Sequence, residues 1–174
     1  MTDEYRQLLE EGNKFEYAIA EVFAHRLGII LTPHTTKETQ LIGENKQGIE
    51  IKLDRLINKT GNIYIETEEK SDKANLNYAP SGIYRNDNTW LYVIGNMVSK
   101  IYIFGKRILQ GMDRTKKYKA VEIATSRGFL LPVADGEKYA LKILFPLDTI
   151  TAEDEAEITR LFWTGGKLST KGTP

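Results

Sequence analysis

Residues 48–54, GIEIKLD, and residues 62–68, NIYIETE, decide how this chain is read. Each alternates apolar and polar residues, the period of a strand with one face in a core. Ile49, Ile51 and Leu53 share one face of the first, and Ile63, Ile65 and Thr67 share one face of the second. The opposite faces read Glu50, Lys52, Asp54 and Tyr64, Glu66, Glu68. The segment 55–61 is short, so a hairpin is expected, centred near residue 58. In that register Glu50 faces Glu66, Lys52 faces Tyr64 and Asp54 faces Asn62. Two carboxylates directly opposed on a sheet destabilise it. A fold keeps such a pair when a divalent cation, a lysine or a shared proton compensates it. Spacing leaves two readings open: a metal site holding Mg²⁺ against a phosphodiester, with Lys52 offsetting charge at the phosphate, or a solvated polar face paired with Lys52, Arg55 or Lys70.

Outward from these segments, residues 3–27 carry Leu8, Gly12, Phe15, Ile19, Val22 and Phe23 at helical spacing, closed by Gly28. Glu16 falls inside that apolar stripe. A strand at 39–43 would complete a run of three antiparallel strands. Residues 80–83, PSGI, open a short helix with Ser81 as a cap candidate. Residues 89–95, TWLYVIG, form a nearly continuous apolar run, the mark of a strand covered on both faces. Further strands are expected at 100–104, 120–124 and 139–145, with helices at 106–117 and 151–163. Ser126, Arg127 and Gly128 read as a hairpin tip or a turn near the site. The order predicts an α/β (α+β) fold, a mixed sheet flanked by helices. The expected organisation is one domain over 1–164 and a flexible tail over 165–174.

Composition narrows the chemistry. The 174 residues contain no cysteine and two histidines, which excludes disulfides, thiolate metal sites and cysteine nucleophiles. Any metal must rest on carboxylates, which favours hard cations such as Mg²⁺ or Mn²⁺. Lys+Arg and Asp+Glu are 24 each, so attraction to an anionic partner must come from local charge. No apolar run is long enough for a membrane span and the N-terminal residues are acidic, so a soluble intracellular protein is expected.

The succession GENKQGIEIKLD (43–54), TGNIYIETEEK (60–70) and PSGIY (80–84), ahead of TWLYVIG, resembles the PD-(D/E)XK, restriction-endonuclease-like nuclease superfamily, in particular its phage and restriction-associated members. The likeness spans about residues 8–104. It implies a core of helix, three antiparallel strands, helix and a further strand (α-β-β-β-α-β), and a Mg²⁺- or Mn²⁺-dependent DNA endonuclease. Position by position, it places the first metal-binding acid at Glu50, the second at Glu66 and a helix-borne glutamate at Glu16. Asp54 is a second choice for the first ligand. The lysine expected two residues after Glu66 is Glu68 here, so Glu68, Lys52 and Lys70 compete for its role. A second frame takes Glu50-Ile51-Lys52 as the E-x-K itself, but the preceding strand would then place Gln40, not an acid, opposite.

Residues 100–119 carry seven basic side chains against one acid. With the loop 70–79 they nominate Lys70, Lys73, Lys106, Arg107, Arg114, Lys116 and Lys117 as phosphate contacts; a solvated amphipathic helix accounts for the same charge. A homodimer would suit double-strand cutting. The rival functions are a non-catalytic nuclease-like module that binds nucleic acid or a protein partner, and a structural subunit whose acidic face is a salt-bridge network.

Overall fold

The computed structural model describes residues 3–33, 42–144 and 150–164. The architecture is mixed α+β, two four-stranded sheets with helices packed against them. The elements, in chain order, are α1 (Asp3–Leu27), β1 (Ile49–Leu53), a single helical turn α2 (Ile57–Thr60), β2 (Asn62–Glu69), β3 (Ala79–Pro80), a 3-10 turn (Gly82–Tyr84), β4 (Leu91–Gly95), β5 (Ile101–Gly105), α3 (Lys106–Arg114), β6 (Lys119–Ile123), β7 (Ser126–Pro132), α4 (Val133–Tyr139), β8 (Lys142–Leu144) and α5 (Ala152–Trp163). The first sheet runs β1-β4-β5-β8 and the second β3-β2-β7-β6.

The first sheet lies between two apolar cores. Ile49, Ile51, Leu91, Val93, Ile101 and Ile103 point to one face, onto Phe15, Ile19 and Phe23 of α1 and Ile158 of α5. Tyr92, Ile94, Tyr102 and Phe104 point to the other, onto Ile63, Ile65, Phe129 and Leu131 of the second sheet and Leu109 of α3. Strict alternation across the registers Ile49↔Leu91, Glu50↔Tyr92 and Leu91↔Gly105 produces this division. β4 is buried along its whole length, as its apolar run predicts. α5 begins with a capping box, the Thr151 hydroxyl accepting from the Asp154 amide, and Arg26 ties α1 to it through Glu155 at 2.7 Å.

The expected hairpin of residues 48–54 with 62–68 does not form. β1 runs parallel to β4, whereas β2 is antiparallel to β7 in the other sheet. Residues 57–60 wind into a helical turn instead of a β-turn, and Gly61 ends it at φ +66°. The Asp54 carboxylate fixes this exit, accepting from the Leu56 amide through Oδ1 and the Tyr64 amide through Oδ2, both at 3.0 Å. β1 gains more by lying beside the apolar β4, where Ile49 and Ile51 join the α1 core.

Other expectations shift in detail. Residues 126–132 form a strand, and the reversal lies just before it, at Ala124 with φ +46°. Residues 133–139 are helical, so the last strand is only Lys142–Leu144. The α1 core begins at Phe15; Leu8 is exposed, and Glu16 lies beside the buried stripe rather than within it. Of the strand expected at 39–43, residues 39–41 lie outside the described residues and Ile42 and Gly43 belong to a turn. The tail at 165–174 also lies outside them. Among the described residues no helix is long and apolar enough to cross a membrane.

Candidate active site

β1 is an edge strand, and the turn before it is folded back along its free side. The Asn45 carboxamide imitates a neighbouring strand there, donating to the Ile49 carbonyl at 2.7 Å and accepting from the Ile49 amide at 3.1 Å. Two glycines permit this. Gly48 has φ +71°, and a Cβ there would lie 2.4 Å from the Asn88 carbonyl oxygen; at Gly43, φ +145°, a Cβ would meet the Asn88 carboxamide. The clamped turn holds Glu44 against the polar edge of β1.

Glu50 and Lys52 lie on the face of β1 shared with Tyr92 and Ile94. Glu50 is 1% exposed. Lys52 Nζ lies 2.6 Å from Glu50 Oε1 and 3.2 Å from Glu44 Oε1. The other oxygen, Glu50 Oε2, is buried without a hydrogen-bond partner. Withdrawing a carboxylate from water costs several kcal/mol, and a single ammonium offsets only part of that cost.

The electrostatics follow. Burial pushes the Glu44 carboxyl up to about 7; Lys52 pulls it back, and Glu50 raises it by charge and by a direct side-chain hydrogen bond. Two carboxyl groups thus compete for one lysine. Burial would lower Lys52, but the charges of Glu50 and Glu44 and hydrogen bonds to both outweigh it, holding the ammonium above its ordinary range. Glu16 is raised by burial and by Glu50, with Lys52 acting against them. Tyr92, beside Glu50 on β4, is held well above the usual phenol range by burial and then by Glu50. Arg85 lies within the field of Glu50 and Glu44 and is raised against the pull of burial.

Among the sequence-nominated residues, Glu50, Lys52 and Glu16 come together. Glu66 and Glu68 do not join them. Ile63 and Ile65 turn into the second core, so Glu66 lies on the opposite face of β2, where the Ser81 hydroxyl donates to its Oε1 at 2.6 Å. A register shift between Glu66 and Glu68 interrupts the alternation, and Glu68 lies 3.9 Å from Arg127. Asp54 is a brace of the β1–β2 connection, both oxygens engaged by backbone amides. Ser81 precedes the 3-10 turn, but its side chain makes no cap bond.

The acid that joins Glu50 instead is Glu44, which falls between the strands expected at 39–43 and 48–54. The signal for it is the G-E-N-x-x-G string itself: two glycines and an asparagine around an acid, directly before a strand, describe a turn folded back on that strand.

The basic segment divides. Lys106 is nearly buried, its Nζ 2.8 Å from Asp87 Oδ1 and 2.7 Å from the Arg85 carbonyl oxygen. Lys116 pairs with Asp113 at 3.0 Å and Lys117 with Asp135 at 2.9 Å. These three lysines therefore meet their charge inside the chain. Lys70 lies 4.9 Å from the centre of the Tyr78 ring. Lys73, Arg107 and Arg114 are exposed.

The donor set suits a hard cation: carboxylate oxygens only, one of them buried and unpartnered. Among the described residues no three Asp, Glu or His side chains gather into a complete metal shell. Mg²⁺ sites commonly use one or two carboxylates and complete the shell with water and substrate phosphate. No family model, curated protein or solved structure matches this chain.

Proposed function

We propose that the chain is a metal-dependent endonuclease that hydrolyses phosphodiester bonds in DNA, of PD-(D/E)XK type, with Glu50-Ile51-Lys52 as its E-x-K. The reading rests on one observation: a buried carboxylate with an unpartnered oxygen, coupled to a second carboxyl and a lysine at the edge of a strand. In this frame Glu44 supplies the acid that Gln40 could not. The frame built on Glu50 opposite Glu66 is withdrawn, because the two residues lie in different sheets.

Glu50 and Glu44 would hold Mg²⁺ or Mn²⁺, with Glu16 at the margin. When bound, the ion supplies Lewis acidity at the phosphate and lowers the pKa of bound water. Lys52 stays an ammonium at working pH, since Glu50 and Glu44 hold its proton on. It cannot serve as a base, so its role is to neutralise charge on the attacked phosphate. In the metal-free protein Glu44 keeps its proton up to about pH 7, so taking up the ion would release that proton. The buried Tyr92 forms an apolar wall beside Glu50.

The test is cleavage of plasmid, linear duplex, branched and single-stranded DNA with Mg²⁺ or Mn²⁺, wild type against Glu50→Gln prepared identically. Cutting by wild type alone supports the reading; equal cutting, or none by either, refutes it. The lysine already seated on the acid pair favours a second reading, a nuclease-like module that binds nucleic acid without turnover. It predicts salt-sensitive DNA binding that divalent ions do not strengthen.

A further inference from the structure

The segment 85–90, which leads into β4, lies against the turn that carries Glu44. The Asn88 amide donates to the Ile42 carbonyl at 2.6 Å and the Trp90 amide to the Gly48 carbonyl at 2.9 Å. The Trp90 indole Nε1–H donates to the Gln47 carbonyl at 2.8 Å. Asn88 makes the tightest contact of all through its side chain. Its Nδ2 donates to the Asn45 carbonyl at 2.8 Å, an oxygen that also accepts from the Gly48 amide at 3.1 Å. Its Oδ1 is packed on Gly43, where an added Cβ would fall 1.9 Å away. One carboxamide therefore grips the residue before Glu44 and the residue after it.

The fold accepts a cost for this grip. Asn88 Oδ1 is buried without a hydrogen-bond partner, and a buried acceptor left open costs free energy that ordinary packing avoids. The segment is also held from behind. Asp87 Oδ1 accepts from the Thr89 amide at 3.0 Å and from Lys106 Nζ at 2.8 Å, and Lys106 Nζ donates to the Arg85 carbonyl at 2.7 Å. The Trp90 ring meets Phe162 of α5 edge-on, with 5.5 Å between centroids. Asn88 is thus anchored to α3 and α5, independently of the turn it supports. Such an anchor answers a need at the site: two carboxyl groups gain nothing from each other until a cation lies between them, so Glu44 must be kept beside Glu50 by an outside restraint.

We propose that Asn88 is a positioning residue of the acid pair. It fixes the turn 42–48 so that Glu44 stays beside Glu50 and Lys52, and a hard cation meets both carboxylates at once. The inference rests on the reading of the acid pair as the metal site; Asn88 acts through the turn and supplies no ligand.

The experiment is calorimetric titration of Mn²⁺ into the metal-free full chain at pH 7.5, a readout that needs no cutting, joined to hydrogen exchange of the same proteins without metal. Asn88→Ala should weaken Mn²⁺ binding about tenfold, the scale on which loss of an outer partner of a metal ligand acts. Trp90→Phe keeps a ring against Phe162 and removes the bond to Gln47; it should weaken binding a few-fold. Asn86→Ala, an exposed position of the same segment, should bind as wild type. In Asn88→Ala the amides of Lys46 and Ile49, which close the turn on Thr32 and Asn45, should exchange faster while those of β5 keep their wild-type rate. A general structural role would instead raise exchange in β5 as well, and that result overturns the inference. Wild-type Mn²⁺ affinity in Asn88→Ala overturns it too and leaves the acid pair standing as the metal site. If Asn88→Ala does not fold, wild-type affinity in Trp90→Phe is the overturning result. Failure of the wild-type protein to bind Mn²⁺ overturns the metal-site reading and this inference together.

Discussion

Two acidic clusters that look alike in the sequence differ in every physical respect once the chain is folded. Glu66 and Glu68 lie on the face of β2 turned away from the second core, one bonded to Ser81 and the other near Arg127. Glu50 and Glu44 meet at the clamped edge of β1, one of them buried, sharing a lysine and a hydrogen bond. The first arrangement satisfies its charges locally. The second leaves a carboxylate oxygen unsatisfied, and that residual frustration is what an incoming cation would relieve.

The largest expected effect separates the clusters by activity. Glu50→Gln should lower DNA cleavage by about a thousandfold, the scale on which loss of a principal charge-stabilising group acts; Glu66→Gln should stay within a few-fold of wild type. Equal losses in a plasmid-nicking assay would break the distinction. Next in size is Lys52→Ala. It strands the buried Glu50 and should destabilise the fold by about 2–4 kcal/mol, held below the full buried-pair value because Lys52 is half exposed; urea unfolding at pH 8 reads it. Glu66→Ala should cost about 1–3 kcal/mol by leaving the buried Ser81 hydroxyl without its acceptor. Stability would then fall without a matching loss of cutting.

The smallest effect is in the pH profile. Glu44 titrates at about 7 in the fold against an ordinary 4.5. The native state therefore binds its proton more tightly than the unfolded chain does. Its stabilising contribution is complete below about pH 4.5 and is lost as pH rises through 7. Glu16 shifts in the same direction. Glu44→Gln should flatten this decline by about 1–2 kcal/mol between pH 5 and 8, read from urea midpoints. A Glu66→Gln profile parallel to wild type sharpens the contrast.

Periodicity located most of the elements and the burial of residues 89–95. Pairing was harder, because alternation states which residues share a face and says nothing about which strand lies alongside. The segment 55–61 was short enough for a hairpin, but Asp54 and the helical turn sent β2 to the other sheet. β7 was hidden by Gly128 and Pro132, residues that usually mark turns. Glu50, Lys52 and Glu16 were legible as chemistry, and the E-x-K frame was visible. Glu44 was not: its role depends on a turn folding back, which is written in Gly43, Asn45 and Gly48 rather than in any apolar pattern. The lysines at 106, 116 and 117 read as a basic patch because their partners Asp87 and Asp135 are distant in sequence, and only Asp113 lies nearby.

Calorimetric titration of Mn²⁺ into the metal-free protein at pH 7.5 tests the central claim most directly, with Glu50→Gln and Glu66→Gln alongside. Saturable binding by wild type and Glu66→Gln, with proton release and loss of the signal in Glu50→Gln, is the predicted result. Binding that survives Glu50→Gln and disappears in Glu66→Gln would contradict it.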